Sequence, residues 1–296
     1  MLVGIFAERS LFMSGTLYLC ATPIGNLGDI TYRVVETLRQ VSLIAAEDTR
    51  NSRVLLDRYD IHTPMTSYHE HNAVSKGETL ASKLLAGEDV ALITDAGTPA
   101  ISDPGEVMVR ICYEYGIPVT SLPGPSAAIT ALTLSGMSAR RFAFEGFLPR
   151  DKKEREEVLA ALKKERRTVI FYEAPHRLRK TLETFAGVVG PEREIALCRE
   201  LTKKFETIDR TTIGEAIAFY EEAEPRGEYV LVLKGMSGEE AATEAAAAWE
   251  NMPVAEHVAM YEKEGHDRKE AMRLAAKDRG VSRRDIYQQL LKEDPS

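Results

Sequence analysis

The stretch VALITDAGTPAISDPG, residues 90–105, runs from a short apolar segment into a loop carrying two glycines and two prolines. An uninterrupted apolar run of this length, closed by Gly and Pro, reads as a strand buried on both faces; a half-solvated strand would alternate. Pro104 suits the first turn of a helix, and beyond it apolar residues return with helical spacing over Val107–Tyr115. The same order of strand, loop and helix recurs in both directions along the chain. Strands are predicted at Thr16–Thr22, Ser42–Glu47, Val90–Asp95, Ile117–Leu122, Thr168–Tyr172, Glu194–Cys198 and Tyr229–Leu233. Helices are predicted at Tyr32–Val41, Arg53–Tyr59, Gly77–Leu85, Val107–Tyr115 and Glu154–Lys164. Such alternation predicts an α/β fold of βα units, with largely parallel sheets covered on both faces.

The length, 296 residues, suits about two domains of roughly 150 residues. With 44% hydrophobic and 28% charged residues the chain can bury a core, which excludes disorder throughout, and no apolar run approaches the roughly 20 residues of a membrane span. The start, MLVGIFAERSLFM, has only the short run Leu2–Ala7 and no basic segment before it, so residues 1–13 read as an extension and not as a signal peptide. Cys20, Cys112 and Cys198 lie far apart in apolar runs and read as reduced core thiols of a cytoplasmic protein. The composition shifts after Gly235, where GMSGEEAATEAAAAWENMP is rich in Ala and Glu. The division expected is therefore an α/β domain over 14–122, a second over 123–236, a linker (or a solvated helix) over 237–252 and a small helical domain over 253–296.

Net charge is −8, yet it is unevenly spread: residues 140–180 carry 13 Lys/Arg against 7 Asp/Glu, and residues 266–292 carry 8 against 4. A phosphate responds to the local field, because charges beyond about 10 Å are screened in 0.1 M salt. The acidic total therefore does not exclude a nucleic acid partner. In the tail, Arg268–Asp278 and Arg283–Lys292 read as two helices joined at Gly280. Gly280 suits the position just past a helix end, and Ser282 with Asp285 resembles a capping box. A basic second helix after so short a turn fits a helix-turn-helix or a plain two-helix hairpin.

Gly and Pro concentrate just after strands, in PIGNLGD (23–29), DAGTPAISDPG (95–105) and PGPSA (123–127). Ligands of α/β sheets bind beyond the carboxyl ends of the strands, so these loops are expected to share one rim. Neither GxGxxG nor GxxxxGK[ST] occurs, so a dinucleotide fingerprint and a P-loop are both unsupported. The rigid 95–105 loop suits preorganised main-chain groups around a small ligand, and Ser126 is a candidate hydrogen-bond donor near a helix start.

Eight blocks stand in order: ATPIGNLGD (21–29), AEDTRNSRVLL (46–56), SYHEHNA (67–73), ITDAGTPAISDPG (93–105), LPGPSA (122–127), FYEAPHR (171–177), CRELTKKFE (198–206) and GEYVLVLKG (227–235). Through them the chain resembles the small-subunit ribosomal RNA 2′-O-methyltransferase I family of the tetrapyrrole (corrin/porphyrin) methylase superfamily. The resemblance implies two α/β domains with S-adenosyl-L-methionine in the cleft between them, a homodimer, and 16S ribosomal RNA of the small subunit as substrate. It implies a cofactor wall of Pro23, Gly97, Pro99, Ser126, Ala127, Tyr172, Leu201 and Gly227. Where the superfamily usually reads GDP, this chain has Gly97-Thr98-Pro99, so a contact at Thr98 must come from its hydroxyl or its backbone.

Methyl transfer to a ribose hydroxyl gains from alignment of the oxygen and from a base that accepts its proton. The candidates are Glu47 and Asp48 at a strand end, His69 or His71, and Glu200 or Lys203; Asp48 equally suits a helix N-cap. Arg50 and Arg53, one turn apart, suit phosphate, as do His176, Arg177 and Arg179 in the basic segment and Arg283 and Arg284 in the tail. His69-Glu70-His71 is weak metal spacing without a third ligand, and no metal is expected. Two rivals stay open from the residues alone: a tetrapyrrole methyltransferase, and a nucleic-acid-binding regulator that works through the C-terminal helices.

Overall fold

The computed structural model describes residues 14–238, 240, 249 and 252–293; the expected extension at 1–13 and most of the expected linker lie outside them. The chain forms two compact units, one from the described residues of Met1–Leu159 and Thr168–Lys234, the other from Ala160–Arg167 and Gly235–Ser296.

The first unit holds two five-stranded sheets. In the first, β1 (Leu17–Cys20), β2 (Leu43–Ala46), β3 (Met65–Ser67), β4 (Val90–Ile93) and β5 (Val119–Leu122) are ordered β3-β2-β4-β1-β5, and every pair is parallel. Successive strand residues face opposite ways, so each face has its own core. Leu17, Leu19, Ala45, Val90 and Leu92 pack on α3 (Ala73–Leu85) and α4 (Gly105–Glu114) through Leu80, Leu84, Met108 and Ile111. Cys20, Ile44, Ala46, Ala91 and Ile93 pack on α1 (Tyr32–Gln40) and α2 (Thr49–Arg58) through Val34, Leu38 and Leu56. Burial on both faces is why these strands read as unbroken apolar runs.

The second sheet departs from the expected parallel pattern. Its strands are β6 (Phe142–Phe147), β7 (Thr168–Glu173), β8 (Glu194–Arg199), β9 (Thr207–Thr212) and β10 (Tyr229–Leu233), in the order β6-β7-β10-β8-β9. Only β6 and β7 are parallel; β10 runs antiparallel to both β7 and β8, and β9 returns against β8. A short loop between β8 and β9 makes a hairpin, and hairpins join antiparallel neighbours. α5 (Ala127–Ser135) covers one face through Ala128, Ala131 and Leu132. On the other face α7 (Pro175–Val189) sets Phe185 against Phe171, with ring centroids 4.9 Å apart, and packs beside α8 (Ile213–Glu222). The expected boundary at Leu122 falls between the sheets. Ile24, from a loop of the first half, nonetheless sits in the core of the second with Ala128 and Leu201, and the two halves form a single compact unit.

Three strands (β3, β6, β9) and the helix α8 have no counterpart in the sequence reading, which places only the starts of α5, near Ser126, and of α7, at Pro175. TIDRTT at β9 is polar, and AAITALTLS at α5 is apolar on every side, so neither shows its period.

The second unit packs α9 (Val254–Lys263), α10 (Arg268–Asp278) and α11 (Arg283–Glu293) around Val254, Val258, Ala271, Ala275, Ala276 and Ile286. Over the described residues 252–293, three helices stand where two were expected. Gly280 (φ +63°) ends α10 as expected, with Val281 N–H donating to Ala276 O (3.0 Å) and Gly280 N–H to Lys277 O (3.2 Å). The capping box is also present: Asp285 N–H donates to Ser282 Oγ (3.2 Å), and Ser282 N–H to Asp285 Oδ2 (3.0 Å). Cys20, Cys112 and Cys198 are free and buried, as expected. Among the described residues no helix is long and apolar enough to cross a membrane.

Candidate active site

The three Gly/Pro loops meet beyond the carboxyl ends of β1, β4 and β5. Thr22 N–H donates to Gly97 O (2.9 Å) and Gly97 N–H to Thr22 O (3.0 Å), an isolated antiparallel bridge between the first two loops. The Thr22 hydroxyl adds a bond to Thr94 O (3.0 Å). The Thr98 hydroxyl donates to Pro125 O (3.0 Å), which joins the third loop to the second. That bond engages the Thr98 hydroxyl as a donor within the protein. Gly97 takes φ +82°, open to glycine and costly for any other residue, and a Cβ there would sit 3.4 Å from Ile24 Cγ2. Further along, Asp103 Oδ1 accepts from Ala100 N–H (3.0 Å) and Gly105 N–H (2.7 Å) and so bridges a bend in which Ala100 and Ser102 both hold positive φ.

A fourth loop, after β8, closes on the first. A Cβ on Gly25 would lie 2.5 Å from Lys203 Cγ, and Asn26 N–H donates to the Thr202 hydroxyl (3.1 Å). Leu201 is buried in one apolar cluster with Ile24 and Ala128, against which Ala127 and Tyr172 pack. The Tyr172 ring meets Phe144 and Phe147 edge-on at 5.0 and 5.6 Å; burial pushes its phenol up, and the Ala128 N–H opposes that. Gly227, at φ +81°, lets the Glu200 side chain approach to 2.6 Å of where a Cβ would be. Pro23, Gly97, Thr98, Pro99, Ser126, Ala127 and Leu201 are carried by these four loops, Tyr172 lies in β7, and Gly227 precedes β10 beside Glu200.

At the ends of β2 and β4 three carboxylates gather. Glu47 Oε2 accepts from the Thr94 hydroxyl (2.7 Å). Asp48 is the N-cap of α2, accepting from Arg50 N–H (2.8 Å) and pairing with the Arg50 guanidinium (2.9 Å), which holds its carboxyl down at about 2. An acid so far below neutrality is a poor proton acceptor, so the capping role replaces the expected base role for Asp48. Asp95, missed by the sequence reading, accepts from Asp48 N–H (3.1 Å) and faces Glu47; burial and then the Glu47 charge push its carboxyl up. A carboxylate at the end of an apolar run, in a loop already singled out, was the available signal. Asp95 also lines a small cavity of about 120 Å³ with Thr22, Pro23, Leu27 and Asn51.

His69 caps the turn before α3, its Nε2 3.2 Å from Asn72 Nδ2, while its Nδ1 is buried with no partner among the described residues. The neighbouring Tyr68 donates to Pro104 O (3.2 Å), tying this block to the second loop. Lys203 Nζ lies 3.0 Å from Glu200 and 2.8 Å from Glu228. Burial alone would lower its pKa, but the bonds to Glu228 and Glu200 prevail and raise it. Held as an ammonium, Lys203 cannot accept a proton, which overturns its candidacy as base; its partner Glu200 is held low.

The basic candidates divide. Arg50 is 89% exposed even with its Asp48 contact, and Arg53, His176, Arg283 and Arg284 are exposed. Arg177 is turned inward instead: Nη2 donates to Leu148 O (2.7 Å) and Nε lies 3.5 Å from Glu173, whose side chain is 1% exposed. Those bonds occupy the guanidinium, so a structural role replaces the expected phosphate contact. Arg179 donates to Ala223 O (3.1 Å) at the surface.

The family model of the tetrapyrrole (corrin/porphyrin) methylases matches residues 16–217. The chain is 49% identical over 273 residues to the ribosomal RNA small subunit methyltransferase I of Bacillus subtilis (strain 168), covering 92% of this chain and 93% of that one. It is 45% identical over 283 residues to the protein of the same name from Escherichia coli O157:H7, covering 94% and 96%. Among solved structures, the uroporphyrin-III-C-methyltransferase of Thermus thermophilus superposes with a TM-score of 0.54 at 19% identity over 74% of this chain and 94% of that one. A diphthine synthase superposes with a TM-score of 0.59 at 11% identity, over 74% and 90%. At such identities these structures share the fold and nothing finer.

Proposed function

The chain belongs to the tetrapyrrole (corrin/porphyrin) methylases, and from that premise we propose that it is an S-adenosylmethionine-dependent methyltransferase of the ribose 2′-oxygen of a cytidine in 16S ribosomal RNA. The near full-length likeness to two proteins named ribosomal RNA small subunit methyltransferase I carries this reading, against under one-fifth identity to the tetrapyrrole enzyme. The loops fit the cofactor: Gly97 brings bare backbone to the rim, in a conformation held by the Thr22 bridge and the Thr98 bond to Pro125. When bound, S-adenosylmethionine supplies an electrophilic methyl group.

What this chain's residues add is alignment and proton acceptance. Preorganised loops recover much of the barrier if they hold the hydroxyl oxygen about 3–3.5 Å from the carbon it attacks. For the proton, Glu47 and Asp95 are the favoured acceptors. Burial and then the Glu47 charge push the Asp95 carboxyl upward, toward working pH. His69, with its buried unpartnered Nδ1, is the remaining candidate. Arg50, Arg53 and His176 on the first unit, and Arg283 and Arg284 on the tail, supply phosphate contacts. The substrate puts the enzyme in the cytoplasm.

A homodimer completes the reading. Ile129 and Leu134 on α5 and Phe142 and Phe147 on the edge strand β6 are exposed apolar groups, and an open strand edge invites cover. Sedimentation of the pure protein checks this, with a single 33-kDa-class monomer at micromolar concentration as the contrary outcome. The activity is tested with methyl-labelled cofactor, small ribosomal subunits and uroporphyrinogen side by side. Label is expected in the 2′-O-methyl of a cytidine; label in the tetrapyrrole alone overturns the assignment.

A further inference from the structure

A polar cleft of about 680 Å³, within the ~300–1,000 Å³ typical of ligand sites, opens beside the first loop. Gly25, Asn26, Leu27 and Gly28 form one wall, Arg58 and Tyr59 at the end of α2 a second, and Thr202, Lys203 and Lys204 a third. The walls are built into the fold. The Tyr59 hydroxyl donates to Leu27 O (2.6 Å), Gly28 N–H donates to Asn26 Oδ1 (3.0 Å), and Asn26 N–H reaches across to Thr202. Lys203 is neutralised by Glu200 and Glu228, and its stem packs under Gly25. Arg58 and Lys204 differ from it: among the described residues neither has a carboxylate within ion-pair distance, although the chain carries a net charge of −8. Next to Lys204, Phe205 is 68% exposed, with the ammonium 5.5 Å from its ring centroid.

Two cations that line one cleft without a carboxylate partner favour an anion. An exposed aromatic in contact with Lys204, which lines the cleft, offers a stacking platform for a base. Together they describe a site for a nucleotide chain, and the cleft is open, as a strand passing through requires. It adjoins the candidate reaction centre, because Leu27 lines both this cleft and the small cavity beside Asp95. We propose that Arg58 and Lys204 are positioning residues that grip backbone phosphates of single-stranded RNA next to the methylated nucleotide, while Phe205 stacks a flanking base. The inference rests on the RNA substrate proposed above.

The test uses the full chain and its Arg58→Ala, Lys204→Ala, Phe205→Ala and Phe205→Tyr variants. Binding of a fluorescent oligocytidylate of roughly 12 nucleotides, within the footprint of single-strand sites, is followed by anisotropy against salt. Each cation removed is expected to lower the log–log salt slope by about 0.7. Phe205→Ala is expected to weaken binding by roughly fivefold or more with the slope unchanged, and Phe205→Tyr to restore it. In methyl transfer to small subunits, the two cation variants are expected to raise KM about tenfold with kcat within twofold. Wild-type slopes and KM in both cation variants overturn the proposal, as does loss of S-adenosylmethionine affinity by calorimetry, which would trace the effect to the cofactor loops. Label entering tetrapyrrole and not RNA overturns the substrate itself, an outcome separate from the oligonucleotide measurement.

Discussion

Gly97 and Gly116 separate what backbone strain does from what a binding site needs. Both hold positive φ, +82° and +67°, but Gly97 lies in the loop bridge whereas Gly116 has nothing within 4 Å of a Cβ. A side chain in this conformation costs about 1–3 kcal/mol. Gly97→Val and Gly116→Ala should therefore both lower the unfolding free energy. Only Gly97→Val should weaken S-adenosylmethionine, by about tenfold or more in calorimetry, since about 1.4 kcal/mol is a factor of ten. Equal cofactor affinity in the two variants would remove the 95–105 loop from the site. Arg177 makes the complementary case. Its truncation strands the Glu173 carboxylate, which keeps the Ala174 N–H (2.9 Å) and the Thr181 hydroxyl but loses its cation, and frees Leu148 O. Arg177→Ala should cost about 1–3 kcal/mol in denaturant unfolding and leave the salt dependence of RNA binding as it was. A flattened salt slope with unaltered stability would return Arg177 to the phosphate-binding set. Residue type had marked Arg177 and Lys203 as available cations; their partners, Leu148, Glu173, Glu200 and Glu228, come from other elements and no local pattern announces them.

Among the elements, the tail helices carry a buried histidine that ties stability to pH. His257 on α9 is fully buried, stacked on Trp249 with ring centroids 4.0 Å apart. Its Nδ1 accepts from Arg279 Nε (3.0 Å), and its Nε2 lies 3.3 Å from Asp278. Burial first, and then Arg279, push its pKa below the usual 6.5, against the opposing pull of Asp278. The unfolded chain thus binds the proton more readily than the folded one. The stability this histidine contributes is complete above about 6.5 and drains away as pH falls through the lowered folded value. Protection factors for hydrogen exchange over residues 254–293, taken relative to the intrinsic rate at each pH, should fall between pH 7.5 and pH 5, and His257→Phe should blunt that fall; equal pH dependence in the variant would assign it to other groups. Helix ends in this unit were readable in advance, because Gly280 and the Ser282–Asp285 pair act within one turn. α9 was not, and neither were β9 and the extent of α5. In α5 apolar residues ring the helix, and in β9 polar ones line a sheet edge, so the period that identifies an element is missing from both.

For the whole molecule, the division of the chain frames a further expectation. The Gly/Pro loops, the carboxylates and the Arg58–Lys204 cleft all lie in the first unit, whereas Arg283 and Arg284 lie in the second. Deleting residues 240–296 should leave S-adenosylmethionine affinity within about twofold and reduce RNA affinity, most at low salt, where phosphate contacts dominate. A truncated chain that folds but no longer binds the cofactor would contradict this assignment of roles. Ala160–Arg167 complicates the division, because a segment from the middle of the chain joins the second unit. Composition changes only after Gly235, and nothing between Ala160 and Arg167 signals where that segment packs.

The amino-acid order alone determined the α/β class, the βα rhythm of the first sheet, the three loops at strand ends and the reduced, buried state of Cys20, Cys112 and Cys198. Each follows from periodicity or turn chemistry acting over a few neighbouring residues. Tertiary structure alone decided that the second sheet is mixed, that Lys203 is held as an ammonium and Asp48 as a weakly basic carboxylate paired with Arg50, and that Arg177 faces inward. It also decided that Asp95 meets Glu47, and that Arg58 and Lys204 line one cleft. These depend on which distant segments become neighbours, and hence on solvation and charge set by groups far away in sequence.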